Sequence, residues 1–153
     1  MPPRARPTTE PYPLDPTLDF MRLLWAIEHG LQKRSKRMRS ELGITGPQRL
    51  VLRIVSRYPG ISAGDVARLI KLHPSTVTGV LQRLVAAGLL KREPDPGDSR
   101  RVRLWILPRA ERHARSLGGT VEETVRRVLR RCRGSDVAVA RAVLAGLARE
   151  LSE

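Results

Sequence analysis

The stretch that decides the fold reads Ile61-Ser62-Ala63-Gly64-Asp65-Val66-Ala67-Arg68-Leu69-Ile70, then Lys71-Leu72-His73-Pro74, then a helical pattern that continues to Ala87. In that last piece Val77, Val80, Leu81, Leu84 and Val85 fall at i, i+3, i+4, i+7 and i+8, one apolar stripe with a period near 3.6. The opposite side carries Ser75, Gly79, Gln82 and Arg83, with Thr76 and Thr78 on the flanks, and no Asp or Glu occurs from residue 66 to residue 92. Small hydrogen-bonding side chains without a carboxylate make a poor solvent face and a good reader of base edges.

Just upstream, Ser62-x-x-Asp65 is close to a capping box and starts a short helix with Val66, Leu69 and Ile70 inward. Lys71-Leu72-His73 leaves room for a tight turn, and Pro74 suits the first position of the next helix. His73 is placed as its N-cap or as a phosphate neighbour, and Leu72 as a staple against Val77. Two short helices joined by a three-residue turn are a helix-turn-helix unit. Downstream, Gly88 stops the reading helix. Leu89 to Glu93 and Val102 to Leu107 read as two strands, the second alternating Val102, Leu104, Ile106 against Arg101, Arg103, Trp105. The turn-rich tip Pro94–Arg101 between them completes a basic hairpin, in which Lys91, Arg92, Arg100, Arg101 and Arg103 surround Glu93, Asp95 and Asp98.

Working outward, a long helix is predicted from Thr17 to about Leu42, with Phe20, Leu24, Ile27, Leu31, Met38 and Leu42 on one stripe, interrupted at Ser35, and Leu18, Met21 and Trp25 on a second. Two apolar faces imply that it packs on its own domain and on something else. Thr45 caps a helix from Pro47 to about Tyr58, which Pro59-Gly60 ends. Beyond the hairpin a helix is predicted from Pro108 to Leu117, another from Thr120 with Val121, Val125, Val128 and Cys132 on one face, and a last one after Ser135. Cys132 is expected to be buried and inert. The last helix carries Val137, Ala140, Leu144, Leu147 and Leu151, a 3-4-3-4 seam of the kind that pairs helices across a two-fold axis. Six prolines among residues 1–16 make that segment an extended arm, in which Arg4 and Arg6 are either solvated or touch DNA.

At 153 residues the chain is expected to be one compact domain, mainly α with a small β-hairpin wing. Residues 43–107 form the winged helix-turn-helix part, and residues 17–42 and 108–153 supply dimerisation helices. The charge is +14, with 29 Lys plus Arg against 15 Asp plus Glu, and 25 of the cations are Arg. Arg offers a planar fork for phosphate or guanine, so the bias favours nucleic acid. GC-rich coding can explain Arg in place of Lys, but not the excess of charge; the charge alone does not choose between nucleic acid and another anionic surface. A single Cys excludes a disulfide within the chain and a Cys-based zinc cluster. No apolar run approaches a membrane span and no signal-peptide core precedes the helices, so a cytoplasmic location is expected. His29, His73 and His113 are too dispersed for a local metal motif, and no cofactor is implied. No nucleophile triad, Gly-rich phosphate loop or acid pair is present, so no catalytic residue is assigned.

In this order of elements the chain resembles the MarR (multiple antibiotic resistance regulator) family. The likeness is carried by Gly43-Ile-Thr-Gly-Pro-Gln48, Tyr58-Pro-Gly-Ile-Ser62, Val66-Ala-Arg-Leu69, Ser75-Thr-Val-Thr78, Leu84-Val-Ala-Ala-Gly-Leu-Leu-Lys-Arg92 and Asp95-Pro-Gly-Asp-Ser-Arg100. The resemblance implies a homodimeric winged helix-turn-helix regulator of transcription, usually a repressor, on a pseudo-palindromic promoter site. It also implies that Asp98 and Arg100 hold the wing and that Arg100 enters a minor groove. Where the family has Leu-Thr and then a Gly after its second wing strand, this chain has Leu107-Pro108 and Glu111, so the next helix is expected to start differently.

The expected DNA-binding residues are therefore Ser62, His73, Ser75, Thr76, Thr78, Gln82, Arg83, Arg100, Arg101 and Arg103, with Asp98 as wing clamp. Asp98 is close enough to hold either the tip backbone or a neighbouring guanidinium. Candidates to line a pocket for a small aromatic or phenolic effector are Trp25, His29 and Tyr58; the plainer reading of the first two is a core Trp and a surface His. The rival to specific regulation is a sequence-independent, RNA-associated or architectural nucleic-acid binder driven by charge.

Overall fold

The chain, seen in a computed structural model that describes residues 12–152, folds as seven α-helices, one 3-10 turn and a two-stranded hairpin. The expected Pro-rich arm falls mostly outside the described residues, and Pro16 belongs to the first helix instead: α1 spans Pro16–Leu42, its N-terminus capped by the Asp15 carboxylate accepting from the Thr17 and Leu18 N–H groups. Pro fits there because the first helical N–H has no intrahelical partner.

α2 (Gly46–Arg57) begins on a complete capping box. Thr45 Oγ1 accepts from Gln48 N–H, and the Gln48 side chain accepts from Thr45 N–H at 2.9 Å. The Ser35 that breaks the α1 stripe has a use: its hydroxyl accepts from Gly46 N–H at 2.9 Å and anchors the start of α2 to α1. α3 (Ala63–Ile70) and α4 (Pro74–Ala86) form the helix-turn-helix, capped by Ser62 and His73. β1 (Leu90–Pro94) and β2 (Val102–Ile106) pair antiparallel, with Arg92 opposite Leu104 and Pro94 opposite Val102. Gly60 N–H donates to the Leu104 carbonyl at 2.9 Å and Leu104 N–H to the Ile61 carbonyl at 3.0 Å, so the chain entering α3 pairs with β2 and ties the wing to the helix-turn-helix.

The core joins Met38 of α1, Ile44, the Val51, Leu52 and Val55 face of α2, Val66 of α3, the Val77, Val80, Leu81 and Leu84 stripe of α4, and Leu90 and Leu104 of the hairpin. The stripe of α4 is thus what turns its polar face outward. Leu69 does not join this core, contrary to expectation: it is 55% exposed, because in this eight-residue helix Val66, Ala67 and Ile70 already fill the contact with α2 and α4. Leu72 is likewise 41% exposed rather than stapled inside.

After the wing the expected ten-residue helix is broken up. A 3-10 turn (Pro108–Ala110) leads into α5 (Glu111–Arg115), which stops at Ser116 in an extended conformation. Pro108 and the following Gly118-Gly119 leave too few helix-forming residues between them. α6 (Val121–Leu129) is capped by Thr120, and α7 (Gly134–Glu150) closes the described chain. Because α6 ends at Leu129, Cys132 lies past its apolar face and is exposed, not buried. No helix of the described residues is long and apolar enough to cross a membrane.

Candidate nucleic-acid interface and an adjoining cavity

α4 offers its outer face as the pattern requires. Ser75, Thr76, Thr78, Gln82 and Arg83 are all exposed, while the four stripe residues beneath them are buried. The N-terminus of the helix is preset by its own side chains. His73 Nδ1 accepts from Ser75 N–H at 3.3 Å and lies 2.6 Å from the Ser75 hydroxyl, and Thr78 Oγ1 donates to the Pro74 carbonyl at 2.9 Å. With Nδ1 so engaged, the other ring nitrogen of His73 is left for an incoming acceptor. Gln82 and Arg83 have no side-chain partner among the described residues. The turn before α4 is made by Lys71, a non-glycine residue at φ +54°, left-handed and strained.

At the wing the five cations part into distinct roles. Asp98 Oδ1 accepts from Arg100 N–H at 3.0 Å, and its carbonyl accepts from Arg101 N–H at 2.9 Å; of the two readings of Asp98, the geometry is that of a hold on the tip backbone. Asp95 is the residue that takes a guanidinium. Its carboxylate accepts from Arg103 Nε at 2.7 Å and from Gly97 N–H at 2.8 Å, and the Arg103 hydrogen bond, then Gly97's, holds its pKa below the usual carboxylate range. Arg103, expected at the nucleic acid, is thereby a brace inside the hairpin. Arg101 reaches back to α3, with donors 3.3 Å from both Ser62 Oγ and Asp65 Oδ2. Ser62 is buried, caps α3 and donates to Asp65 at 2.6 Å, so its hydroxyl is committed within the fold rather than offered outward. That bond, ahead of the charges of Arg68 and Arg101, lowers the Asp65 pKa.

What remains outward is a cleft of about 600 Å³ between the start of α3 and the wing, with Arg68, Arg92, Arg100 and Arg101 on its walls. The side chains of Arg92 and Arg100 are exposed and have no partner among the described residues, whereas Arg68 is paired with Asp65. Arg68 and Arg92 were not among the expected site residues. The outward side of α3 and the outward register of β1 would have singled them out, had the pairing of the wing with residues 60–62 been known.

A second feature lies among the helices outside the helix-turn-helix and the wing. An apolar cavity of about 530 Å³ opens between α1, α2 and α6, lined by Leu31, Met38, Leu50 and Val125 and walled by Arg49, Arg53 and Glu122. Trp25, His29 and Tyr58 do not line it. Trp25 is 60% exposed on the N-terminal half of α1, His29 is exposed one turn on, and Tyr58 follows the end of α2 with Arg57 6.0 Å above its ring. Their separation has a simple cause: the cavity opens where α6 packs on the second half of α1, more than a turn past Trp25. His29 precedes the lining Leu31 by two residues, which puts it on the other side of the helix.

Known proteins with similar features fit this arrangement. The model of the MarR family matches residues 42–101. Transcriptional regulator HosA of Escherichia coli O111:H- is 31% identical over 96 residues, which are 60% of this chain and 71% of HosA. The chain belongs to the MarR family. MarR relatives of solved structure agree along nearly the whole chain. The transcriptional regulator PcaV of Streptomyces coelicolor, crystallised with its natural ligand, superposes with a TM-score of 0.72 at 26% identity, over 90% of this chain and 97% of PcaV. MepR of S. aureus, crystallised with DNA, gives 0.70 at 19% identity over 86% and 97%, a likeness of fold. The winged helix fold is therefore that of the MarR family, whose members are transcription regulators and not enzymes.

Proposed function

We propose that this MarR-family chain is a homodimeric, sequence-specific DNA-binding regulator, a repressor at a pseudo-palindromic promoter site that a small apolar or aromatic effector releases. The observation that carries this reading is the outer face of α4: Ser75, Thr76, Gln82 and Arg83 exposed, without a carboxylate, beside a wing whose Arg100 is unpaired. A helix so furnished reads base edges in a major groove, while Arg100 is positioned for a minor groove and Arg92 for phosphate. Sequence-independent binding would need the charge but not the preset α4 face.

Dimerisation is supported by what the single chain leaves uncovered. Leu18, Leu23, Ile27 and Leu31 of α1, Val139, Val143 and Leu144 of α7, and Leu151 just after it are each more than 40% exposed. Such contiguous apolar helix faces belong at an interface. Residues 17–42 and 108–153 accordingly act as dimerisation helices around a reading part at 43–107, and the protein works where its DNA is, in the cytoplasm. The effector reading rests on the apolar cavity, and MepR with DNA and PcaV with its natural ligand are the corresponding states of two relatives.

Footprinting on DNA taken from beside the gene, with competitor DNA present, tests the proposal. A protected segment with two-fold symmetry is expected; uniform, sequence-independent protection overturns it. Light scattering of the full chain should give a dimer at micromolar concentration, and removal of everything from Ser135 onward should give monomer or insoluble chain.

A further inference from the structure

Several exposed arginines on the helices of this chain are answered by a carboxylate three or four residues away, as Arg22 is by Asp19, Arg37 by Glu41 and Arg133 by Asp136. The end of α6 departs from that pattern. Arg126, Arg127, Arg130 and Arg131 stand at i, i+1, i+4 and i+5, so cation is stacked on cation one turn along, in two rungs. All four are exposed, and Arg127, Arg130 and Arg131 have no hydrogen-bond or ion-pair partner among the described residues. Arg126 alone of the four is held, by Glu122 Oε1 at 3.1 Å. With Leu117 and Glu123 they line a second cleft, of about 460 Å³. Glu123 is the one acid of that lining among the described residues, and its carboxylate is turned to the Gly119 N–H at 2.8 Å. The negative end of a helix is worth roughly half a unit charge, too little to balance three unpaired guanidiniums. No residue of α3, α4 or the wing lines this cleft, so it is separate from the nucleic-acid face.

We infer that this cleft is a second anion site, and that it takes a compact chain of phosphates, free or carried by a nucleotide. A guanidinium fork pairs with phosphate oxygens two at a time, and a phosphate chain presents oxygens to both rungs at once. Four residues of helix advance about 6 Å, a span that a triphosphate bridges and a single phosphate does not. No aromatic side chain lines the cleft, so a base finds no ring to stack on and the phosphates alone carry the recognition. A DNA duplex fits less well. Its phosphates lie along a broad convex surface, while these guanidiniums border one small hollow.

Calorimetric titration of the full chain with tripolyphosphate, ATP and orthophosphate, at one fixed ionic strength, tests this. Tripolyphosphate should bind at least as tightly as ATP, and orthophosphate at least about tenfold more weakly than either. The double variant Arg127→Gln with Arg131→Gln removes one rung and should weaken tripolyphosphate by about tenfold or more. Both side chains are exposed, so the fold should survive the change, which circular dichroism checks. Arg126→Gln should cost less, because Glu122 already shares that guanidinium. Arg83→Ala and Arg100→Ala, at the nucleic-acid face, should change tripolyphosphate affinity by less than about twofold, and the double variant should keep its affinity for the footprinted DNA. The inference is overturned if tripolyphosphate binds no better than orthophosphate, or if the double variant binds it as the wild type does. It is equally overturned if the Arg83 and Arg100 variants lose the binding instead, or if ATP binds about tenfold tighter than tripolyphosphate, which would mean that the base is read. A duplex of unrelated sequence that depends on Arg127 and Arg131 as strongly as tripolyphosphate does would also overturn it and give the cleft to the DNA backbone.

Discussion

Gly60 and Gly64 stand four residues apart at the junction of the wing and the helix-turn-helix, and alanine should act on them in opposite senses. Gly60 has φ +81°, and a Cβ built there would meet Trp105 Cη2 at 3.0 Å and Cζ2 at 3.1 Å. An L-residue in that backbone region costs about 1–2 kcal/mol. The indole cannot swing away freely, because Trp105 is partly buried and its Nε1 edge is enclosed in the fold, so overpacking adds about 1–3 kcal/mol. Gly60→Ala should therefore destabilise by about 2–5 kcal/mol, a large part of the roughly 5–15 kcal/mol that holds a domain together. Gly64 lies inside α3, and the nearest atom to its added Cβ is Ser62 Oγ at 3.9 Å. There Ala relieves the backbone entropy of glycine in a helix, and Gly64→Ala should stabilise by about 0.5–1 kcal/mol. Urea unfolding at one fixed protein concentration, followed by Trp fluorescence and circular dichroism, gives both values, with the concentration held because assembly shifts apparent stability. A cost below about 1 kcal/mol at Gly60, or the same sign at both positions, would refute the reasoning that the wing is seated by this close approach.

Three further outcomes can be checked. Asp98→Ala removes a negative charge near DNA, so electrostatics alone predicts tighter binding; the bond to Arg100 N–H predicts weaker binding or loss of preference for A·T-rich flanks, and a clear gain with that preference intact would sink the clamp. Ser75→Ala and Gln82→Ala should each cost about 1–3 kcal/mol on the footprinted site and little on random duplex, measured by fluorescence anisotropy; equal losses on both would mean that these side chains meet phosphate alone. Burial, then the neighbouring charges of Arg112 and Arg49, holds the His113 pKa below its ordinary 6.5. The unfolded chain therefore binds this proton first, so the stability contributed by neutral His113 is complete above pH 6.5 and is lost as pH falls through the lower folded value. His113→Gln should flatten the stability profile just below pH 6.5, and an unchanged slope there in thermal melts would count against it.

Local chemistry was enough to read most of the fold from the chain. Period, caps and turn residues act over four or five positions, so the Val77 to Leu84 stripe, the Thr45 and Ser62 caps, Pro74 at the head of α4 and the Gly88 stop appear in the residues themselves, and with them the outward face of Ser75, Thr76, Gln82 and Arg83. The charge of the wing was legible too, but not its division of labour. Whether Arg100, Arg101 or Arg103 is free depends on Asp65 and Asp95 and on the pairing of residues 60–62 with β2, contacts between segments up to 39 residues apart in the case of Arg101 and Ser62. The cavity was out of reach for the same reason. Trp25 and His29 share a helix face, but the wall that matters joins Arg49 of α2 to Glu122 of α6, 73 residues on, and no sequence period registers two charges at that distance. Propensity and amphipathic period decide which elements form and which side faces in; which guanidinium meets which carboxylate is decided when those faces pack, and it is there that tertiary structure alone speaks.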